Sequence, residues 1–405
     1  MLTLVTSNPA KYAPFARELE RLRVVLAPPR QTLVELQSLS FDEALAEKAR
    51  AAAAMFGRPV LVDDAGLVLA AYGRFPGPLT STVLGSLGAA GLQRLVAGAA
   101  DGAAMECHLG CWVDGTLRKW TGDVRGRLDF TRPVRNERMM LSDLFVPEDA
   151  SLDGQLTHRA RALAALEVDA LALHLELASA TPAPDTLQAN RPTHECPFCA
   201  ELEHDSLSVF ATMIGDRLHS RVVYEDEHFV IMPPLGEFME GGLLLLTRQH
   251  ILSLAYLAPA LVEPLERLVG ATCKALQARW GVAPLVFEHG PAPEWSKGVC
   301  CVDHAHLNIF PAAVKVRPHL AARMNLPLGS LSELARLQQA EFGYLFVQEN
   351  DGSRRVYDAM DAPTQLIRRL IASEIGCPER WHWRDYPGLD ELIATYHALK
   401  GQIQP

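Results

Sequence analysis

The chain has 405 residues, 49% of them hydrophobic and 21% charged, with a formal net charge of −10. That length exceeds one ordinary core, so two domains, or three, are expected, and the near-average composition excludes a disordered or fibrous class. The acidic balance argues against duplex nucleic-acid binding, which needs basic patches to neutralise phosphates, but leaves small nucleotides open. No apolar run reaches the about 18 residues of a membrane span. The opening MLTLVTSNPAKY has no basic n-region and no cleavable apolar core, so no membrane contact and a cytoplasmic location are expected.

Taken in chain order, an apolar strand opens at Leu2 and runs to Thr6. The polar turn Ser7-Asn8-Pro9 then starts a helix to about Leu22, since Ser or Asn suits an N-cap and Pro the first turn. A second helix is expected from Phe41 to Phe56. The strand Pro59 to Val62 ends in Asp63-Asp64-Ala65-Gly66. Ala104 to Val113 and Thr116 to Asp123 flank Asp114-Gly115, a hairpin signal. The Ala-rich stretch His158 to Leu177 reads as a helix. Residues 1–178 are therefore expected to form an α/β domain with a mixed, partly antiparallel sheet. Ser179 to Thr193 (SATPAPDTLQANRPT) has neither helical nor strand period and reads as a linker.

Residues 194–405 read as an α+β domain with a meander-like antiparallel sheet. Arg221 to Met232 is a hairpin turning at Glu225-Asp226-Glu227, and Gly241 to Thr247 a buried strand. Leu257 to Trp280 is a long helix, and Val299 to Pro311 a strand of period two. Tyr344 to Tyr357 is a hairpin around Asn350-Asp351-Gly352, and Pro363 to Ile375 a helix.

Eight cysteines are present, and in a reducing compartment most should be reduced core residues. Cys196-Pro-Phe-Cys199 differs: its spacing suits metal or redox chemistry, or a buried pair. In Asp303-His304-Ala305-His306-Leu307-Asn308-Ile309-Phe310, alternation puts His304, His306 and Asn308 on one exposed strand face. Ala305, Leu307 and Ile309 go into the core. Two imidazoles beside a carboxamide suit a phosphoryl site, where one His attacks phosphorus and its neighbours fix its tautomer. The alternative is a solvated face with chance histidines.

With the strand Gly241 to Leu246 running into Thr247-Arg248-Gln249-His250, this pattern resembles the histidine-triad superfamily. Its galactose-1-phosphate uridylyltransferase and dinucleoside-polyphosphate phosphorylase branches are included in that resemblance. The resemblance implies zinc held by Cys196, Cys199, His250 and His304, and His306 as nucleophile. A nucleotidyl-histidine would form and pass to water, phosphate or another acceptor. Asn308 stands where the family has His or Gln. It can still donate a hydrogen bond to phosphate or leaving group, with a shorter reach. A domain that binds nucleotides without turnover is the alternative. The loop from Glu288-His289 to Ser296-Lys297-Gly298 corresponds to one that holds phosphates in the family, which makes Ser296 and Lys297 candidates, against a plain surface loop. His289 is either a further site histidine or a loop residue. The tail, with Arg368-Arg369 and Trp381-His382-Trp383-Arg384, looks like the extension of a longer histidine-triad subgroup. It reads first as a solvated helix face packed by aromatics, and second as arginines closing over phosphates.

The first half resembles the inosine-triphosphate pyrophosphatase family. Thr6-Ser7-Asn8-Pro9-Ala10-Lys11 is similar to its T-x-N-x-x-K opening, and Ser40-Phe41-Asp42-Glu43-Ala44 with Lys48 to its T-F-x-E-N helix start. Asp63-Asp64-Ala65-Gly66-Leu67, Phe75-Pro76-Gly77-Pro78 and Thr157 to Leu163 are similar to D-D-S-G-L, F-P-G-P and S-H-R-G-x-A-L. The resemblance implies Mg²⁺ held by Glu43 and Asp64, water activated by Asp64, and triphosphate bound by Asn8 and Lys11. His158 and Arg159 would contact base or phosphate. Water attack at the α-β linkage would give a monophosphate and pyrophosphate. A structural turn is the alternative for Asp63-Asp64. The departures are Ala44, Ala65, Asp153 in place of a lysine, and the weak segment Met140 to Phe145. They favour a second reading, a non-catalytic nucleotide sensor or dimerisation module. The expected partners are small nucleotides and, since both families are often dimeric, a second copy of the chain.

Overall fold

A computed structural model of the chain describes residues 2–6, 9–27, 36–97, 102–134, 140–152, 157–179, 196–203, 208–291, 302, 304–339, 343–359 and 362–405. It divides into two compact units, Met1–Leu177 and Ala178–Pro405. No helix among the described residues is long and apolar enough to cross a membrane. Most of the expected linker lies outside the described residues.

The first unit runs β1 (Leu2–Val5), a 3-10 turn (Pro9–Phe15), α1 (Ala16–Arg21), β2 (Val24–Leu26), α2 (Phe41–Phe56) and β3 (Leu61–Leu69). It continues with α3 (Thr80–Val96), β4 (Ala103–Val113), β5 (Thr116–Leu128), α4 (Met140–Leu144), β6 (Phe145–Pro147) and α5 (Thr157–Ser179). The sheet order is β2-β1-β3-β4-β5-β6. β1 lies parallel to β2 and β3, and the remaining pairs are antiparallel, so the sheet is mixed. The second helix has its expected bounds. Ser40 caps it by accepting the Glu43 N–H at 3.3 Å, and Gly57 ends it in the left-handed region. Its face of Leu45, Ala49 and Ala52 packs on Val5, Val60 and Val62. The β4–β5 hairpin turns at Asp114-Gly115, both at positive φ, as its strand twist requires.

One strand differs from expectation. Asp63-Asp64-Ala65-Gly66 does not follow the strand but lies inside β3, paired to β4 from Leu61↔Cys111 to Leu69↔Ala103. Asp and Gly are poor strand formers, so local sequence hides what a partner some forty positions away imposes.

The second unit opens with α6 (Pro197–Leu202) and α7 (Val209–Ile214), then β7 (Tyr224–Glu225), β8 (Phe229–Met232), β9 (Leu243–Thr247) and α8 (Val262–Trp280). β10 (Leu285–Gly290), β11 (His306–Phe310), β12 (Asn325–Pro327), α9 (Ala335–Gln339), β13 (Tyr344–Gln348) and β14 (Arg354–Asp358) follow. α10 (Leu366–Glu374) and α11 (Leu389–Leu399) end the chain. The sheet is antiparallel, in the order β12-β14-β13-β10-β11-β9-β8-β7. The long helix starts later than its composition suggests, because two 3-10 turns, Leu254–Tyr256 and Pro259–Leu261, precede it.

Register and alternation define the face that carries the site. Val230 and Met232 on β8 stand opposite Leu246 and Leu244 on β9, which stand opposite His306 and Asn308 on β11. Asn308 in turn faces Phe287 on β10, which faces Val347 on β13. α6 covers the β8–β9 side of this face through Phe198. α10 covers the β10–β13 side through Ile367 and Ile371. His306 and Asn308 lie in the gap between the two covers.

Candidate functional site

The two histidines of the Cys/His cluster meet because β9 and β11 are antiparallel neighbours. The chain leaving β9 at Thr247 passes the chain entering β11 at His306, so His250 and His304 come together with ring centroids 5.0 Å apart. Cys196, at the N-cap of α6, and Cys199, in its first turn, complete the set. Cys196 Sγ lies 3.4 Å from His304 Nδ1, and Cys199 Sγ lies 3.4 Å from His250 Nδ1 and 3.6 Å from His304 Nδ1. The four ligand atoms fall within 4.8 Å of one another, and all four residues are buried. A tetrahedral ion at ordinary Zn–S and Zn–N lengths separates S from N by about 3.6 Å, so the spacing fits. The tautomer fits too. His304 Nε2–H donates to the Thr247 carbonyl at 2.7 Å, which leaves Nδ1 as an acceptor on the side of the thiols. Burial and the neighbouring Cys196 push the Cys199 thiol up to about 12, so it needs a cation to stay a thiolate. These four residues could hold a metal ion such as zinc.

His304 stands two residues before the start of β11, and it is 1% exposed. The expected exposed row of His304, His306 and Asn308 is therefore a covered one: His306 is half-buried and Asn308 buried. Alternation sorts side chains between faces but does not say what lies over a face. Ala305, Leu307 and Ile309 are in the core, as their alternation implies.

His306 Nδ1–H donates to the His304 carbonyl at 2.6 Å, which leaves Nε2 with its lone pair. Phe198, from the Cys-Pro-Phe-Cys turn, stands edge-on to both rings, 5.8 Å from His304 and 5.5 Å from His306. Burial lowers the His306 pKa, the His304 carbonyl opposes this, and the Arg368 guanidinium lowers it further. A cavity of about 180 Å³ opens on this ring. His306, Asn308 and His289 line it from the sheet, and Phe198 from α6. Arg368, Trp383 and Arg384 line it from the C-terminal segment. His289 thus belongs to the pocket, on β10 and not in a loop, and burial pushes its pKa to about 4. Sequence reading missed the apolar wall, Leu244 and Phe287 among it, and ranked the tail arginines as surface residues. The only local signal for them was the unusual Trp381-His382-Trp383-Arg384 run. Ser296 and Lys297 lie outside the described residues, as do Asn8 and Asp153 of the first unit.

In the first unit, Lys11, His158 and Arg159 gather on one side of β3 with Tyr12, Cys107 and Asp63. Arg159 Nη1 donates to His158 Nε2 at 2.7 Å, and its guanidinium lies 5.8 Å from the Tyr12 ring centre. Tyr12 Oη is 3.9 Å from Cys107 Sγ. Burial, then Arg159 and Lys11, pushes the His158 pKa down to about 3, so its ring is neutral. Burial and Arg159 also lower that of Lys11, against Asp63. Asp64 points to the opposite face, which α2 covers, and stands across from His108. Phe41 stacks on His108 at 4.2 Å, and His108 Nε2 lies 3.0 Å from Glu106, which also takes Arg74 at 2.6 Å. Glu43, in the first turn of α2, is exposed and accepts a hydrogen bond from Ser38 at 2.7 Å. Among the described residues, Glu43 and Asp64 belong to no group of three donor side chains within 4.8 Å. Mg²⁺ is commonly held by one or two carboxylates plus phosphates and waters, so two suffice in kind. The Asp pair is thus divided between two faces, with the cationic cluster on the Asp63 side.

A dITP/XTP pyrophosphatase of Saccharolobus solfataricus is 30% identical over 172 residues, which cover 40% of this chain and 88% of that protein. The crystal structure of a nucleoside-triphosphatase / dITP/XTP pyrophosphatase from Mycobacterium abscessus is 29% identical, covers 41% of this chain and 94% of that one, and has a TM-score of 0.32. A Hit-like protein of Bartonella henselae is 19% identical, covers 34% of this chain and 98% of that one, with a TM-score of 0.21. The family model described as the Ham1 family matches residues 2–168. Through this first unit, the chain belongs to the Ham1 family.

Proposed function

We propose that the chain is a bifunctional nucleotide-phosphate enzyme, with nucleotidyl transfer through His306 in residues 194–405 and nucleoside-triphosphate pyrophosphohydrolysis in residues 1–178. For the second unit, one observation carries the reading. His306 donates a hydrogen bond from its Nδ1–H to the His304 carbonyl, which leaves Nε2 at a cation-lined cavity as a fixed, neutral nucleophile. Its lone pair forms an N–P bond as the P–O bond to the leaving group breaks, and that electron pair leaves with the oxygen. Water or phosphate then attacks the same phosphorus and returns the imidazole. Asn308, two positions along the same face, is placed to donate a hydrogen bond to the phosphoryl oxygens. Zinc at Cys196, Cys199, His250 and His304 would supply a rigid cross-link between α6 and the ends of β9 and β11. The protein's own part is to hold the His304 carbonyl, and through it the His306 ring. Intact-mass measurement after incubation with nucleoside polyphosphates tests this. A nucleotidyl adduct is expected on the wild type and not on His306→Ala. A wild type that neither forms an adduct nor turns over any nucleotide leaves only a binding protein.

For the first unit, Ham1-family membership and the names of its relatives support release of pyrophosphate from non-standard purine triphosphates, with Lys11, His158 and Arg159 at the anionic substrate. Ala44 and Ala65, which replace the Asn and Ser of the resembled motifs, favour a binding module instead. Mg²⁺-dependent pyrophosphate release from dITP or XTP, abolished in Asp64→Asn, separates the two.

A further inference from the structure

His306 belongs to a row of side chains that runs across the sheet of the second unit. On β9 its register partner is Leu246. On β10 the pairing of Phe287 with Asn308, carried two positions along both strands, sets His289 beside His306 on the same face. Beyond His289, on β13, stands its partner Leu345. The next row on this face is Leu244, Asn308, Phe287 and Val347. Within the sheet, polar side chains therefore flank His306 on two sides, Asn308 on its own strand and His289 on the next. The β9 side is closed by Leu246 and Leu244.

The His289 ring lines the cavity that opens on His306. Burial, then the neighbouring His306 and Arg323, pushes its pKa down to about 4, so the ring is uncharged at neutral pH. An uncharged imidazole carries one N–H, which donates a hydrogen bond without giving up its proton. When His306 Nε2 attacks phosphorus, the leaving oxygen departs in line on the far side, and negative charge spreads over the equatorial oxygens. A donor that stands beside the nucleophile on the sheet reaches those equatorial oxygens and not the leaving group. Asn308 is a second such donor, and it reaches less far than the His or Gln in whose place it stands.

We propose that His289 is a further catalytic residue of the second unit, which donates a hydrogen bond to one non-bridging oxygen of the phosphoryl group under attack while Asn308 serves the other. This rests on the nucleotidyl-transfer reading of His306. The consequence is stereochemical, because the two non-bridging oxygens of a nucleotide's α-phosphorus are distinct and sulfur in place of one accepts a hydrogen bond poorly. The test is the rate of adduct formation on the full chain, read by rapid-quench intact mass, with ATP and with each diastereomer of its α-thio analogue. Reading the adduct keeps any turnover by the first unit out of the measurement. His289→Leu is expected to slow ATP on the order of a hundredfold, as for one lost transition-state donor. It should slow one diastereomer far less, because sulfur already weakens the same bond there. Asn308→Ala should show this pattern with the other diastereomer. His289→Gln keeps a donor and should restore most of the rate. Thermal midpoint and zinc content check the fold. If His289→Leu lowers either, His289→Asn, which stays polar but draws the donor back from phosphorus, takes its place in the comparison. Equal slowing of ATP and both diastereomers would assign His289 a structural part only and overturn the proposal. An unchanged rate with ATP overturns it too. In both cases the adduct on the wild type leaves the reading of His306 standing. A wild type that forms no adduct removes that reading, and the proposal with it.

Discussion

Glu288 offers a way to weigh one buried carboxyl that braces the site. It lies on β10 beside His289, is 1% exposed, and accepts the Leu254 N–H at 2.8 Å and the Tyr344 hydroxyl. It thereby ties the loop that follows His250 to β10 and β13. Burial raises its pKa from 4.5 to about 7, against the two hydrogen bonds. The folded state therefore binds a proton that the unfolded chain has already released, and stability falls as pH rises from the unfolded pKa through the folded one. The full effect is on the order of 3 kcal/mol, most of which falls between roughly pH 5 and pH 8. Glu288→Gln keeps the shape and cannot ionise. Urea unfolding of the wild type and the variant, followed through the transition of the second unit at several pH values, isolates this term. The variant should gain on the order of 2 kcal/mol relative to the wild type across that range. The transition of the first unit should not change. A difference flat to within about 0.5 kcal/mol would refute the reasoning, because it would mean that the carboxyl is not desolvated in the folded state.

Two other substitutions address the two sites. Cys199→Ser should abolish a zinc content expected at about one per chain and lower the thermal midpoint of the second unit, since a buried structural zinc contributes up to about 10 kcal/mol to folding in small domains. It should also reduce the His306 adduct although His306 is intact; metal analysis showing the wild-type content in the variant would remove the four-ligand site. In the first unit, Asp63→Asn should destabilise by about 3 kcal/mol, because it strips the carboxylate from the Lys11–Arg159 cluster. Asp64→Asn should cost less stability than Asp63→Asn and cut pyrophosphate release instead. Unfolding and pyrophosphate assays on the full chain check both, and exchanged outcomes would mean that the two faces have been assigned the wrong way round.

Much of the local architecture is written in short-range pattern. The capped helix Phe41–Phe56, the Asp114-Gly115 hairpin and the alternation around His306 need only neighbouring residues, and those were legible. The Cys-x-x-Cys pair and the two histidines also marked the Cys/His cluster, because residue types that can ligate a metal are a sequence property. Other features depend on contacts between distant segments. β3 continues through Asp63-Asp64-Ala65-Gly66 only because β4 lies alongside, and that pairing sends the two carboxylates to opposite faces. His306 is covered because α6 and a segment some seventy residues downstream close over one face of the sheet. Arg368 and Arg384 become pocket residues through the docking of Gly388 on Glu237, which composition does not reveal. The sequence alone marked most of the elements and the residue types of each candidate site. Which face each side chain shares, and what covers it, was decided by tertiary packing, since burial is a property of pairs of segments and not of either one.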